Sequence, residues 1–199
     1  FVRGLTTKQI VSEVAGKGGL VDASQRNLAT NVRTMLNYVA TTARTDTIES
    51  NNDVVDGYEI VSTLDIRTSD TCKSWDGTIV LSTDAKQPKP PFHFGCRTTI
   101  SPHLSSKYDF LDKGAKRAAR GADGGQQVDG DTSYYGFLKD QPDWFQNDAL
   151  GVTRANIFRD AGMTAEEFRK ASVDGFGQPL TLKQMAAKDD KVRAYLGGE

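Results

Sequence analysis

The sequence predicts an α+β fold: a long helix packed on a small antiparallel β-sheet, followed by an extended connector and a small C-terminal helical region. Three observations lead to this prediction. Apolar residues recur at helical spacing before residue 50, three short segments of strand composition follow, and helix-capping patterns return after residue 133. These changes divide the chain into residues 1–104, 105–133 and 134–199.

Composition narrows the class of protein. Hydrophobic residues make up 37% of the chain and mean hydropathy is -0.50, so we expect a modest core. A net charge of -1 provides no overall field that steers the chain to nucleic acid or to an anionic membrane. No apolar run approaches the roughly 18 residues that span a bilayer, and we expect no membrane partner. Because residue 1 is Phe, we expect a fragment or a processed product, from which a signal peptide could have been removed.

The N-terminal part predicts two helices. Thr6 or Thr7 can cap a short helix that ends at Val14, ahead of a glycine-rich turn. A long helix follows, capped by Asp22 or Ser24 and ending near residues 47–50. Its predicted core-facing stripe has spacings of four and three and consists of Leu28, Val32, Leu36, Val39 and Ala43.

Three short strands are predicted next, from their β-branched and aromatic residues. They cover residues 58–64, 78–81 and 97–101, and Pro102 is expected to stop the last one. Ser69 or Asp70 can begin a short helix, and Asp76-Gly77 is typical of a hairpin turn. A proline-stiffened extended segment, residues 86–91, joins the second strand to the third.

The composition changes between residues 105 and 133. A basic run is followed by a polar, glycine-rich stretch, and neither has enough apolar surface to offset the entropy of ordering. We therefore predict an extended connector that becomes ordered only against a partner. The cations that could contact DNA phosphates or another partner are Lys113, Lys116, Arg117 and Arg120. A solvated connector is the alternative for the same residues.

The C-terminal third returns to helical patterns. An aromatic helix is expected over residues 134–139, and Pro142 suits the first turn of a second helix that Gly151 closes. Further helices are expected over residues 155–161, from the capping-box pattern at 164, and from that at 181 to about 196. The aromatic residues that could anchor a partner are Tyr134, Tyr135, Phe137, Trp144 and Phe145. A small local core is the expected use of at least half of them.

All the cysteine and histidine residues fall in one window: Cys72, His93, Cys96 and His103. They could bind one zinc ion, since two thiolates and two imidazoles are a sufficient tetrahedral set. Cys72 and Cys96 could instead form a disulfide worth roughly 3 kcal/mol, although a reducing cytosol would prevent it until particle release. The interpretation we favour has no ligand: two buried thiols and two polar imidazoles pack a turn-rich loop.

Catalysis has weaker support in the sequence. Cys96 lies close to His93, but no third group that would orient the pair is evident. Asp65, Asp70 and Asp76 are better explained by turn and cap chemistry. We therefore predict a protein that is not an enzyme. A zinc-dependent or thiol enzyme built on Cys72, His93 and Cys96 is the alternative.

One block of the sequence resembles a known phage family. It runs from Asp65 to Thr68, continues through Cys72 to Asp76-Gly77, and closes after the proline-rich stretch with residues 91–97. This order resembles the motif of the Mu-F-like minor head proteins of tailed phages, roughly Asp-x-Arg-Thr-x-x-x-Cys-x-x-Cys/Leu-x-Gly and then Pro-x-His-Pro-x-Cys-Arg-Cys. The resemblance covers most of the chain, and its specific part is residues 65–97.

The sequence departs from the family motif at two positions. Trp75 stands in place of the second cysteine and Thr98 in place of the last, so a four-cysteine metal site would be half lost. The resemblance therefore implies a folding motif, with scaffold residues Asp65, Arg67, Thr68, Asp76, Gly77 and Arg97. We expect Asp65 and Arg67 to form a polar pair that fixes the strand-to-loop turn. Asp76-Gly77 should set a hairpin, and Arg97 should brace the returning strand.

The resemblance also implies a function. Members of this family are minor structural components of the virion that act at head assembly and associate with the portal vertex, where they influence genome packaging or delivery. We therefore expect a non-enzymatic head protein without a cofactor, in several copies per virion, which is in the host cytoplasm during assembly. Its expected partner is the portal or a connector protein. A DNA-binding accessory that contacts packaged DNA through the basic connector is the alternative.

Overall fold

The computed structural model describes residues 4–14 and 25–197. Within them the fold is α+β, which confirms the predicted class. The caps and glycines predicted between residues 15 and 24 lie outside the described residues. The elements up to residue 104, which we call the N-terminal module, are α1 (Thr7–Val14), α2 (Gln25–Glu49), β1 (Val55–Val61), α3 (Asp70–Trp75), β2 (Ile79–Leu81) and β3 (Thr99–Leu104).

The rest of the chain contains a hairpin and a helical region. A 3-10 helix (Ser106–Leu111) precedes the hairpin strands β4 (Lys116–Gly121) and β5 (Gly124–Asp129). The C-terminal region that follows consists of α4 (Tyr134–Lys139), α5 (Asp143–Leu150), α6 (Val152–Asp160), α7 (Ala165–Ser172), α8 (Leu182–Lys188) and α9 (Asp190–Gly197).

The sheet of the N-terminal module is antiparallel, with β1 at its centre in the order β2-β1-β3. Gly57 on β1 permits a close approach of β2, because a Cβ there would lie 2.1 Å from the Val80 carbonyl oxygen. Pro102 does not stop β3, which continues to Leu104. Because β3 is an edge strand, its outward side needs no N–H donor, and a proline is tolerated there.

The long helix α2 buries only part of the predicted apolar stripe, since Leu28, Val32 and Leu36 are half-buried. Val39 and Ala43 of that stripe are exposed, whereas Thr41, Thr45 and Ile48 are buried. The buried face of α2 differs from the predicted stripe because the loop before β3 presents backbone groups to α2. Buried backbone groups need hydrogen-bond partners. Asn37 and Thr34 of α2 supply those partners, whereas the buried hydroxyls of Thr41 and Thr45 have none among the described residues.

The segment between residues 105 and 133 differs from the predicted extended connector. β4 and β5 pair from Lys116 opposite Asp129 to Gly121 opposite Gly124, which forms a regular hairpin. The backbone N–H of Arg120 donates to the Leu64 carbonyl at 2.8 Å, so the hairpin is bound to the N-terminal module. Backbone pairing orders this segment, although it has little apolar surface.

The C-terminal region surrounds a core of aromatic rings. The rings of Phe158 and Phe168 lie 4.9 Å apart, and Tyr135 packs edge-on to Phe168 at 5.5 Å. The predicted capping boxes at Thr164 and Thr181 are both present. The single helix predicted after residue 181 is two helices, α8 and α9, separated by residue 189 in an extended conformation.

Candidate functional site

The family-like block begins with a bidentate ion pair. Asp65 pairs with Arg97 and not, as expected, with Arg67, whose side chain is exposed. The two Arg97 nitrogens lie 2.5 and 2.7 Å from the two carboxylate oxygens of Asp65, and the Thr68 hydroxyl donates to the same group at 3.1 Å. Burial alone would raise the pKa of Asp65, but Arg97 and Thr68 bring the pKa below its usual value. This pair joins the loop before α3 to the loop before β3.

A second carboxylate joins three parts of the chain. Asp76 and Gly77 form the predicted turn, closed by the Thr78 N–H bond to the Trp75 carbonyl at 3.1 Å, but the turn leads from α3 to β2 and does not join two strands of a hairpin. The Asp76 side chain is 0% exposed. The backbone N–H groups of Ser62 and Tyr134 both donate to it at 2.6 Å, and the Arg117 guanidinium donates at 2.9 Å. Burial raises the pKa of the Asp76 carboxyl, against the opposing effects of Arg117 and the two N–H donors. Gly77 follows with a φ of +74°, a left-handed conformation that suits glycine.

Three of the four predicted metal-ligating residues meet between α3 and the loop before β3. The Cys72 sulfur lies 3.1 Å from His93 Nε2 and 3.6 Å from the Cys96 sulfur, and all three ligand atoms lie within 4.8 Å of one another. Both cysteines are buried and free, whereas His93 is exposed. His103 lies elsewhere, on β3 opposite Gly57. We call Cys72, His93 and Cys96 the thiol–imidazole cluster.

Neighbouring elements hold each member of the thiol–imidazole cluster. Ser69 caps α3, and its hydroxyl accepts a hydrogen bond from the Cys72 N–H at 3.2 Å. Asn37 of α2 donates to the Cys96 carbonyl at 3.0 Å. Nδ1 of His93 lies 2.9 Å from the Phe94 carbonyl oxygen, which can only accept a hydrogen bond. Neutral His93 therefore carries its proton on Nδ1 and directs an unprotonated Nε2 at the thiols.

The two thiols do not have equal acidity. The hydrogen bond from the Cys72 thiol lowers the pKa of Cys96, and hydrogen bonds from the backbone of Phe92 and Thr98 lower it further. The hydrogen bond to Cys96, together with burial, raises the pKa of Cys72.

A comparison with known protein families shows the family to which the chain belongs. The family model for phage Mu protein F like protein matches residues 1–101. The chain belongs to this family. No curated protein and no solved structure matches the chain. Membership of the Mu-F-like family makes it a phage head morphogenesis protein, consistent with a location in the virion. Among the described residues, no helix has the length and apolar character to cross a membrane.

The matched segment ends within β3, so the Mu-F-like family covers the N-terminal module alone. At one departure from the family motif, Trp75 stacks on Phe92 with ring centroids 5.9 Å apart. The indole also packs against Gly177, where an added Cβ would lie 2.3 Å from Nε1. At the other departure, the buried Thr98 hydroxyl lies 3.0 Å from that of Ser62. Trp75 therefore has a packing role inside the protein, and Thr98 has a hydrogen-bonding role.

Most of the residues predicted to bind a partner of this Mu-F-like protein are held inside it. Arg117 donates to buried Asp76 and to the Thr132 carbonyl, and Lys116 pairs with Asp129 across the hairpin. Four of the five aromatic residues are buried because they form the C-terminal core: Tyr134, Tyr135, Phe137 and Phe145. The predicted partner-binding residues that remain exposed are Lys113, Lys116, Arg120 and Trp144.

A surface pocket of about 380 Å³ brings two of the exposed candidates together. It lies beside the Asp65–Arg97 pair, and it is lined by Asp65, Ile66, Arg67, Arg120, Gly121, Trp144 and Phe145. Arg67 is a motif residue for which the sequence suggested only a structural role. No sequence signal links it to Arg120 and Trp144, because the three come from different parts of the chain.

Proposed function

We propose that this Mu-F-like protein is a minor structural protein of the phage head that binds the portal or a connector protein and acts in head assembly, without enzymatic activity. Family membership supports the head. The observation that supports a binding role is the pocket lined by Arg67, Arg120 and Trp144. A side chain of the partner would enter this pocket.

The composition of the pocket suits a protein interface. Arg and Trp are the residue types that most often dominate binding energy at interfaces. Trp144 is 54% exposed in the free protein, which leaves its ring available for a partner. The carboxylate of Asp65 is already paired with Arg97, so Arg67 and Arg120 give the pocket a positive charge. We therefore expect an acidic segment of the portal or connector protein to bind here.

The geometry of the thiol–imidazole cluster supports a non-enzymatic role. His93 Nε2 contacts the Cys72 thiol, whose pKa is raised, and the Ser69 hydroxyl; the thiol whose pKa is lowered is that of Cys96. Within the described residues, the His93 ring bonds to no carboxylate that would orient it as a general base. Its Nδ1 bonds to the Phe94 carbonyl, which holds the ring but does not stabilise an imidazolium as a carboxylate would. A Cys/His nucleophile of the protease type needs such an orienting group.

Binding to the portal protein of the same phage tests the proposal. Trp144→Ala and Arg120→Glu should each weaken binding by about 10-fold or more, because they remove an interface anchor or reverse a charge in the pocket. Matched controls are Phe176→Ala, an exposed aromatic that does not line the pocket, and Lys113→Glu, an exposed cation that also lies outside it. The measurement is titration of purified portal by light scattering or interferometry.

The controls decide the outcome. We expect Phe176→Ala and Lys113→Glu to bind portal as the unsubstituted protein does. Portal binding that is equal in the pocket variants and the controls would contradict the assignment of the pocket. An absence of any binding to portal and connector proteins, in a folded preparation, would contradict the proposed partner.

A further inference from the structure

The thiol–imidazole cluster has the donor set and the spacing of a metal site. In a tetrahedral zinc site with Zn–S bonds of about 2.3 Å, two thiolate sulfurs lie about 3.8 Å apart. The sulfurs of Cys72 and Cys96 lie 3.6 Å apart. A disulfide requires about 2.05 Å between the same atoms. The observed separation is therefore close to that of two ligands of one ion.

The imidazole already has the orientation that a metal ligand needs. Metal-binding histidines usually donate the other ring N–H to a carboxylate, a carbonyl or water, which fixes the tautomer. The bond from His93 Nδ1 to the Phe94 carbonyl, at 2.9 Å, meets this requirement and leaves the lone pair of Nε2 on the side of the Cys72 sulfur. Nε2 lies 3.1 Å from the Cys72 sulfur, nearer than the roughly 3.5 Å of an occupied site, and within 4.8 Å of the Cys96 sulfur, so a small shift of the ring would let one ion reach all three atoms. His93 is exposed, and this movement meets no packed core.

We propose that Cys72, Cys96 and His93 bind one zinc ion, with the fourth tetrahedral position filled by water on the exposed side next to Ser69. Thiolate and imidazole donors without a carboxylate select zinc over magnesium or calcium. The Ser69 hydroxyl lies 2.8 Å from His93 Nε2 and can hydrogen-bond to that water. The site is independent of the proposed portal contact.

The ion would cross-link two separate segments of the N-terminal module. Cys72 lies on α3, whereas His93 and Cys96 lie in the loop before β3, 21 and 24 residues further along the chain. In the described structure this loop is bound to α2 through Asn37 and through Thr34, whose hydroxyl accepts from the Gly95 N–H at 2.8 Å. Both cysteines release their protons when the ion binds, so binding is expected to weaken as pH falls.

The test is metal binding by the full chain, purified under reducing conditions and supplied with zinc alone or cobalt alone. We expect one zinc per chain by elemental analysis. Cobalt should give the intense visible bands and thiolate charge-transfer absorption of a tetrahedral thiolate site. Removal of zinc by a chelator should lower Tm, because an ion that binds only the folded state stabilises it.

A histidine pair supplies the matched control. His93→Ala should weaken zinc binding by at least about 10-fold and change the cobalt spectrum. His103→Ala, on β3 outside the cluster, should leave both unchanged. Because His93 is exposed, its removal should leave the fold intact, as circular dichroism can verify. A reduced, folded chain that binds no zinc would overturn the proposal, and so would full zinc affinity in His93→Ala.

Discussion

The N-terminal module and the C-terminal region are held together in different ways. The buried apolar cluster of the module contains six residues, Ile48, Val55, Tyr58, Ile60, Val80 and Ile100. The larger cluster contains 15 of the described residues, six of them aromatic, and all but Leu64 and Ala119 belong to the C-terminal region. The module adds specific polar bonds to its small cluster: Asp65 with Arg97, Asp76 with Arg117, and Asn37 with the loop before β3.

This difference explains why the family motif lies in the module. A core that depends on apolar packing tolerates many substitutions that preserve volume. A fold that depends on a bidentate ion pair and a buried carboxylate requires particular residues at particular positions. The segment that the Mu-F-like family model matches contains the Asp65–Arg97 pair and the buried Asp76 carboxylate, whose partner Arg117 lies outside it. Four predictions test this comparison, from the largest expected effect to the smallest.

Truncation of the aromatic core should have the largest effect. Phe168 is 1% exposed and packs against Tyr135 and Phe158, so Phe168→Ala should lower the free energy of unfolding by about 3–5 kcal/mol. Phe176→Ala, at a position 73% exposed, should change the same quantity by less than about 0.5 kcal/mol. Urea denaturation followed by tryptophan fluorescence measures both. A loss below about 1 kcal/mol for Phe168→Ala would contradict an aromatic core.

The second-largest loss of stability is expected when Arg117 is removed. Its guanidinium binds Asp76, which connects the N-terminal module to the C-terminal region. Arg117→Met leaves the buried Asp76 carboxylate without its ion-pair partner and should cost about 3 kcal/mol. Since Asp76 also bonds to Tyr134, both regions should unfold at lower denaturant concentration. Lys116→Met is the control, because Lys116 pairs with Asp129 at the surface and should matter by less than about 1 kcal/mol. Equal losses of unfolding free energy in Arg117→Met and Lys116→Met would contradict the role of the buried pair in connecting the two regions.

The ion pair between Asp65 and Arg97 should make the free energy of unfolding depend on pH in the acid range. The pKa of Asp65 is lowered in the folded state, so its contribution is complete above the ordinary pKa and is lost as pH falls below about 4. Arg97→Gln should lower the free energy of unfolding by about 1–2 kcal/mol at pH 7, a modest figure because Arg97 is 39% exposed. The deficit should shrink in acid.

Unfolding free energies at several pH values check this expectation. Arg67→Gln is the control, because the Arg67 side chain is exposed and Asp65 accepts only its backbone N–H. A deficit in Arg97→Gln that stays constant from neutral pH to acid would show that Asp65 titrates as an ordinary carboxyl.

The smallest predicted effect has the opposite sign. The buried Thr41 hydroxyl on the inner face of α2 finds no hydrogen-bond partner among the described residues. Thr41→Val removes this unsatisfied group at nearly constant volume and should stabilise the protein by about 1 kcal/mol. Thr42→Val is the control, since the Thr42 hydroxyl is exposed and donates to the Tyr38 carbonyl at 3.0 Å. Destabilisation by Thr41→Val in thermal unfolding would indicate that the hydroxyl has a partner.

The sequence by itself determined the features that depend on neighbouring residues. The α+β class, the capping boxes at Thr164 and Thr181 and the end of α5 at Gly151 all follow from patterns a few residues long. The resemblance to the Mu-F-like family was visible for the same reason, because the order and spacing of its motif can be compared directly. The clustering of Cys72, His93 and Cys96 in one window was also evident, although their three-dimensional spacing was not.

Only the tertiary structure decided which groups become partners. Asp65 binds Arg97, 32 residues away, instead of the nearby Arg67, and Asp76 receives Arg117 from the hairpin, 41 residues away. It also decided that the predicted connector pairs as a hairpin. Of the five aromatic residues for which the sequence left an anchor or a core open, it placed all but Trp144 in the core, which confirms the prediction that at least half of them form one. The physical reason is that burial and partner choice depend on which surfaces meet after the chain has folded. Spacing along the sequence shows only which residues are neighbours in the unfolded chain.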